Sequence, residues 1–167
     1  MPRRAESAAG IIAELRAHSR TVAIAESLTG GLLIAELVSV PGASAVVRGG
    51  IVAYATSLKA SLLAVPAVLL AERGPVDAEV AKSMALGVRN ACAVDGVPAD
   101  VGIATTGVAG PDQQGGFEPG TVFLGLSSAR GERSVALTLH GDRARIRQHC
   151  VVEALRALAA ELDSLGE

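Results

Sequence analysis

Two rhythms of apolar and polar positions alternate along the chain. Over residues 5–18, apolar side chains fall at Ala8, Ile11, Ile12 and Leu15, the spacing of a helix that packs on one side. Residues 21–25 form a short, mostly apolar run, which predicts a buried strand. A buried helix is expected over residues 32–38, stopped by Pro41 and Gly42. Residues 43–48 fit neither rhythm. A second strand is expected over residues 49–55, then a short helix over residues 57–64 and another opened by Pro66 and closed near Gly74 and Pro75. Asp77 is a fitting N-cap for a helix reaching Cys92, with Val80, Met84, Val88 and Ala91 on one face. Residues 99–106 predict a third strand. After a glycine-, glutamine- and proline-rich loop to Gly120, residues 122–129 and 133–139 predict a β-hairpin around Gly131. Asp142 then caps a last helix whose face carries Ile146, Cys150, Ala154, Leu155, Leu158 and Leu162. Strands separated by helices, with one hairpin and no internal repeat, predict an α/β fold: a three-layer α/β/α sandwich with a mixed sheet, a single domain.

The ends of these elements gather the polar groups. Ser27 and Thr29 follow the first strand, Tyr54 and Lys59 flank the end of the second, and Thr105, Thr106 and Gly107 end the third. Open α/β sheets bind ligands outside the carboxyl ends of their strands, so these three clusters mark a candidate site. At the first corner Gly30 and Gly31 let a substrate approach the backbone, and the N–H groups of residues 29–31 are candidate oxyanion donors for a Ser27 nucleophile. The plainer reading makes Thr29 the N-cap of the next helix and Ser27 a turn residue. Both stand open on the local sequence.

Composition narrows the partner. Of the 167 residues 50% are hydrophobic but only 2% aromatic, so the core is expected to be Ala, Val, Leu and Ile in close contact. One Tyr, two Phe and a net charge of -2 leave little for stacking on bases or holding a phosphate backbone, which weighs against nucleic acid. A small molecule or a protein partner is expected instead. Cys92 and Cys150 fall in helical patterns and read as small buried apolar groups in a reducing compartment. No signal peptide follows Met1, Pro2, Arg3 and Arg4, and no apolar run approaches the ~18–20 residues that span a bilayer, so no membrane association and a cytoplasmic location are expected. The alanine-rich, aromatic-poor surface is compatible with a homo-oligomer.

Familiar motifs are absent. There is no P-loop, no Gly-x-Gly-x-x-Gly after a strand and no Gly-x-Ser-x-Gly elbow. Tyr54 and Lys59 are separated by a strand-to-helix break, unlike a same-helix Tyr–Lys pair. His18, His140 and His149 lack metal-ligand spacing, so no metal and no cofactor are expected. His140, at a strand end, is the one histidine placed to serve a Ser–His arrangement. Lys59 has only uncharged neighbours for ten residues on either side, a setting that suits a neutral amine acting as base, although an exposed helix lysine fits the same composition. Tyr54 reads either as a proton relay between Ser27 and Lys59 or as a ring capping the sheet.

Five stretches in order then resemble a known family: Ala25-Glu-Ser27-Leu-Thr-Gly-Gly31; Gly49-Gly-Ile-Val-Ala-Tyr54 with Lys59 following; Thr106-Gly-Val-Ala-Gly-Pro111; Gly120-Thr-Val-Phe123; and Gly141-Asp-Arg143. They are similar to the C-terminal domain of the CinA (competence/damage-inducible) proteins, over about residues 21–167. The resemblance implies a metal-free serine–lysine amidohydrolase that deamidates nicotinamide mononucleotide to nicotinate mononucleotide and ammonia in pyridine-nucleotide salvage. It implies Ser27 as nucleophile, Lys59 as base and Tyr54 as supporting hydroxyl. The family's usual Cys after the serine is Leu28 here, expected to point away from the site, and the loop Asp112-Gln-Gln-Gly-Gly-Phe departs from the usual pattern, which bears on substrate preference. Thr106 and Gly107 are expected to line the nucleotide pocket. Arg143 is the first candidate for the phosphate and Arg48 the second, with a salt bridge from Arg143 to Asp142 or Glu153 as the structural alternative. The competing function is a catalytically silent module that binds a nucleotide or docks to a protein in competence or DNA-damage responses.

Overall fold

A computed structural model of the chain describes residues 6–166. The start of the first expected helix, at Ala5, lies outside the described residues. The strands are β1 (Val22–Glu26), β2 (Val47–Val52), β3 (Val101–Gly107), β4 (Thr121–Ser128) and β5 (Gly131–Thr138). The helices are α1 (Ala8–Ala17), α2 (Leu32–Val38), α3 (Thr56–Leu63), α4 (Ala67–Arg73), α5 (Ala78–Ala91) and α6 (Arg143–Gly166). One 3-10 turn, Ala43–Ala45, occupies the stretch that fitted neither rhythm.

The sheet runs in the order β2-β1-β3-β4-β5. Strand β1 pairs parallel with both β2 and β3, while β4 is antiparallel to β3 and to β5. The chain therefore leaves β1 toward one side and returns to its other side, which opens a crevice at the carboxyl ends of β1 and β3. The mixed three-layer sandwich expected from the pattern is the observed fold.

Strand alternation sorts the core into two halves. Val22, Ile24, Val101 and Ile103 join Leu124, Leu126 and the buried faces of α1, α2 and α6. Ala23, Ala25 and Ala104 face the other way, with Val80, Met84 and Val88 of α5 and Leu63 of α3. This second half is built on small residues because α5 lies almost on the sheet. A Cβ added at Gly125 would sit 1.9 Å from the Ala81 carbonyl oxygen, and one at Gly102 would sit 2.0 Å from that of Ala85. Bulky or aromatic side chains have no room between these layers. The low aromatic content thus follows from helix-to-sheet spacing.

Element boundaries moved where backbone pairing overrode apolar rhythm. β2 starts at Val47 rather than residue 49, in register with Val22 of β1. β1 extends to Glu26, whose carboxylate is fully buried. Asp77 and Ser7 cap α5 and α1 through their side chains, the first as the sequence indicated.

Gly125→Ala is expected to cost about 1–3 kcal/mol, the usual range for overpacking a full core. In a chain of this size that lowers Tm by roughly 2–12 °C. A thermal melt unchanged by the substitution would contradict the packing described for α5.

Candidate functional site

Strand β1 delivers Ser27 to the crevice, and α3 delivers Lys59 from across the edge strand. The Ser27 N–H donates to the Thr105 carbonyl at 3.0 Å, tying the corner to the end of β3. Lys59 Nζ lies 2.9 Å from Ser27 Oγ and donates to the Ala53 carbonyl at 2.7 Å. Only 1% of Lys59 is exposed, although it occupies a short helix in which Leu63 is the one other buried residue. Both of its partners are uncharged. Burial alone lowers its pKa from 10.5 to about 8. At neutral pH about a tenth of the population then carries a free amine, against less than a thousandth for an exposed lysine. Of the two readings of Lys59, the structure agrees with the buried one.

These two side chains open onto a cleft of about 480 Å³. Thr106, Gly107 and Arg143 also line it, as do the 108–114 loop residues Asp112, Gln113 and Gln114. The Thr106 hydroxyl donates to the Pro75 carbonyl at 2.6 Å, which fixes the far wall. Arg143 opens α6 and spans the mouth. It donates to the Gly110 carbonyl at 2.7 Å and to the Tyr54 hydroxyl at 2.9 Å. The salt bridges to Asp142 or Glu153 held open by the sequence are not its partners.

Several expectations are corrected. Tyr54 lines the cleft but is 60% exposed, and its hydroxyl is engaged by Arg143. Because Ser27 and Lys59 touch directly, no relay through Tyr54 is needed. Arg48 lies near the start of β2, at the opposite end of the strands from the cleft, and does not line it. Thr29 is fully buried with its hydroxyl 2.8 Å from that of Thr105, and neither caps α2 nor lines the cleft. Gly30 and Gly31 do not supply oxyanion donors. The Gly30 N–H donates to the Ser27 carbonyl at 3.1 Å, and the Gly31 N–H to Glu26 Oε2 at 3.0 Å. Gly31 adopts φ 99°, which is why a glycine stands there. Leu28, expected to point away, does so with its side chain, which packs in the core, although the residue also lines the cleft. His140 is exposed and does not line the cleft.

Two residues, Glu26 and Arg147, have no role assigned from the sequence, and a third, Thr105, is named there only as a strand-end group. Glu26 caps α2, accepting from the N–H groups of Gly31, Leu33 and Ile34 at 2.9–3.1 Å. A buried carboxylate thus replaces the N-cap side chain that Gly31 lacks. The signal was present: an acid ending an apolar strand run is out of place unless something holds it. Thr105 braces the corner from β3. Arg147 of α6 donates to the carbonyls of Leu28 at 2.9 Å and Thr29 at 3.0 Å. Nothing local in the sequence connects it with a turn more than a hundred residues away.

The arrangement is that of a three-layer α/β protein with a buried serine–lysine pair at the strand crevice. The model of the CinA C-terminal domain matches residues 4–162, and the chain belongs to this family. The match takes in α1, which the motif resemblance had left outside. The chain is 50% identical over 138 residues to a CinA-like protein of Frankia casuarinae (strain DSM 45818 / CECT 9043 / HFP020203 / CcI3), covering 83% of this chain and 31% of that protein. It is 43% identical over 153 residues to a CinA-like protein of Anaeromyxobacter sp. (strain Fw109-5), covering 91% of this chain and 36% of that one. The chain thus spans about a third of the length of these curated relatives. Among solved structures, the competence/damage inducible protein CihA from Agrobacterium tumefaciens aligns with a TM-score of 0.85 at 32% identity, covering 98% of both chains. A CinA superfamily protein from Klebsiella pneumoniae 700603 aligns with a TM-score of 0.89 at 26% identity, covering 98% of this chain and 99% of that one. Among the described residues, no helix is long and apolar enough to cross a membrane.

The lowered pKa of Lys59 has a consequence for stability. Between about pH 8 and 10.5 the unfolded chain holds a proton on Lys59 that the folded chain has released. Stability from this group therefore rises with pH across that window and is flat below it. Denaturation of wild type and Lys59→Met over pH 7–11 is expected to show wild type gaining on the variant only above about pH 8. A constant difference across the range would mean that Lys59 keeps its ordinary affinity for protons.

Proposed function

We propose that this domain hydrolyses the carboxamide of nicotinamide mononucleotide, giving nicotinate mononucleotide and ammonia, with Ser27 as nucleophile and Lys59 as base. The observation that carries the reading is the 2.9 Å contact between Ser27 Oγ and a lysine amine stripped of water and of any countercharge. A serine needs an adjacent base, and a desolvated lysine is one.

In its neutral form Lys59 donates one N–H to the Ala53 carbonyl and turns its lone pair to the Ser27 hydroxyl. The Ser27 proton passes to Nζ as Oγ adds to the amide carbon. The resulting oxyanion meets the N–H group of Leu28, which lines the cleft and which no hydrogen bond of the fold engages among the described residues. The Lys59 ammonium then protonates the departing nitrogen, which leaves as ammonia and a nicotinoyl ester on Ser27. Water, deprotonated by the same amine, cleaves that ester and frees the acid.

The nucleotide end is supported by the cleft. Arg143 uses two N–H groups on Gly110 and Tyr54, which leaves donors of its fork for a phosphate at the mouth. The choice of this carboxamide over others rests on the family resemblance together with this single cation at the mouth.

The test is ammonia release from nicotinamide mononucleotide by purified, chelator-treated protein. Ser27→Ala is expected to abolish it, and Lys59→Ala to lower kcat by about 10²–10⁴-fold. kcat/KM should rise with pH to a plateau with a midpoint near 8, because the base must be unprotonated. Binding of the nucleotide without turnover, with both variants behaving as wild type, would make the domain a silent binding module and end this reading.

Arg143→Ala is expected to raise KM for the nucleotide about 10–100-fold, the loss of charge-assisted hydrogen bonds, with a smaller change in kcat. The effect should vanish with nicotinamide riboside, which lacks the phosphate. An equal rise for both substrates would remove Arg143 from phosphate binding.

A further inference from the structure

We propose that Arg147 is a positioning residue that polarises the oxyanion donor of this site, the Leu28 N–H, through the backbone of the 27–30 turn. The inference rests on the amidohydrolase reading for its chemistry, and on hydrogen bonds of the fold for its geometry.

The N–H of Leu28 is the free donor at the turn that belongs to a cleft-lining residue, and it shares a peptide unit with the carbonyl of Ser27. Arg147 Nη2 donates to the Thr29 carbonyl at 3.0 Å. That peptide ends in the Gly30 N–H, which donates to the Ser27 carbonyl at 3.1 Å. The Ser27 peptide ends in turn in the Leu28 N–H. This donor therefore stands at the far end of a hydrogen-bonded relay that begins at the guanidinium, and Arg147 Nε holds the Leu28 carbonyl at 2.9 Å on its other side. Each bond in such a chain polarises the next, so a cation on the carbonyls makes the terminal N–H a stronger donor.

The same contacts hold the turn in place. Arg147 takes its carbonyls, while Glu26 takes the N–H of Gly31 at the start of α2. The turn is pulled from both sides by groups of opposite charge, and neither group lines the cleft. Two parallel bonds from a planar fork fix peptide orientation in a way that a lysine ammonium, a single point charge, does not.

The experiment compares wild type, Arg147→Met and Arg147→Lys in two assays, with a thermal melt of each to show that it is folded. The first assay is steady-state ammonia release from nicotinamide mononucleotide. The second is the rate at which diisopropyl fluorophosphate labels Ser27, followed by intact mass. In that reaction Oγ bonds to phosphorus, fluoride leaves, the serine proton passes to Lys59, and charge builds on the phosphoryl oxygen where the same donor meets it. Removing one oxyanion donor outright costs about 10²–10³-fold in kcat, so weakening one is expected to cost about 10-fold. Arg147→Met should lose that much in kcat and in labelling rate, with KM and the pH midpoint of labelling unchanged. Arg147→Lys should fall between it and wild type.

A folded Arg147→Met that labels at the wild-type rate overturns the proposal. So does Arg147→Lys at the wild-type rate, should the methionine variant not fold. Wild type that is labelled at Ser27 but releases no ammonia ends the amidase reading while the labelling rates still decide the role of Arg147. Wild type that is never labelled ends both.

Discussion

A lysine amine held out of water beside a serine hydroxyl, with nothing negative to keep its proton, is the constraint on which the rest of this structure depends. Removing an ammonium from solvent is costly, and the protein offsets the cost by letting the group become neutral rather than by pairing it. Lys59 is fixed by the Ala53 carbonyl on one side and Ser27 on the other. Short helix α3 exists largely to bring it there: its outward residues Leu58 and Leu62 are exposed, and only Lys59 and Leu63 are buried. A helix whose most deeply buried polar group is its one cation is a poor choice for stability alone.

The sheet supplies the rigidity that such a contact needs. Helix α5 lies so close to β3 and β4 that glycine is required at Gly102 and Gly125, and this dense layer supports the end of β3 from which Thr105 braces the Ser27 corner. On the opposite face, α6 contributes twice. Its first residue, Arg143, reaches across the cleft mouth, and one turn later Arg147 reaches the backbone of the corner. Buried Glu26 completes the support by capping α2. Charge is used sparingly here, but wherever it is buried it organises backbone.

Much of this was legible from residues alone. The short apolar run of residues 21–25 marked a buried strand, and the polar ends of three strands marked the crevice. Lys59 stood out because its neighbours carry no acid over twenty residues. The errors have physical causes. Arg48 was a phosphate candidate by its charge, yet it sits at the start of β2 and the cleft lies at the other end of the strands. The glycine pair looked like an open donor site, yet both N–H groups are consumed by the turn and by Glu26. A relay through Tyr54 stood open beside direct transfer because sequence order cannot tell a contact of 2.9 Å between Ser27 and Lys59 from a gap that needs bridging. Arg147 was invisible because its role is created wholly by tertiary contact.

The central claim is the charge state of one amine, and it can be observed without substrate. Titration of Lys59 by nuclear magnetic resonance, following its side-chain carbon and nitrogen shifts in the folded protein with Ser27→Ala as assignment control, reads that state directly. The account predicts a midpoint near 8 for Lys59. A midpoint at the ordinary value of about 10.4 would leave an ammonium beside Ser27 at neutral pH and contradict the account.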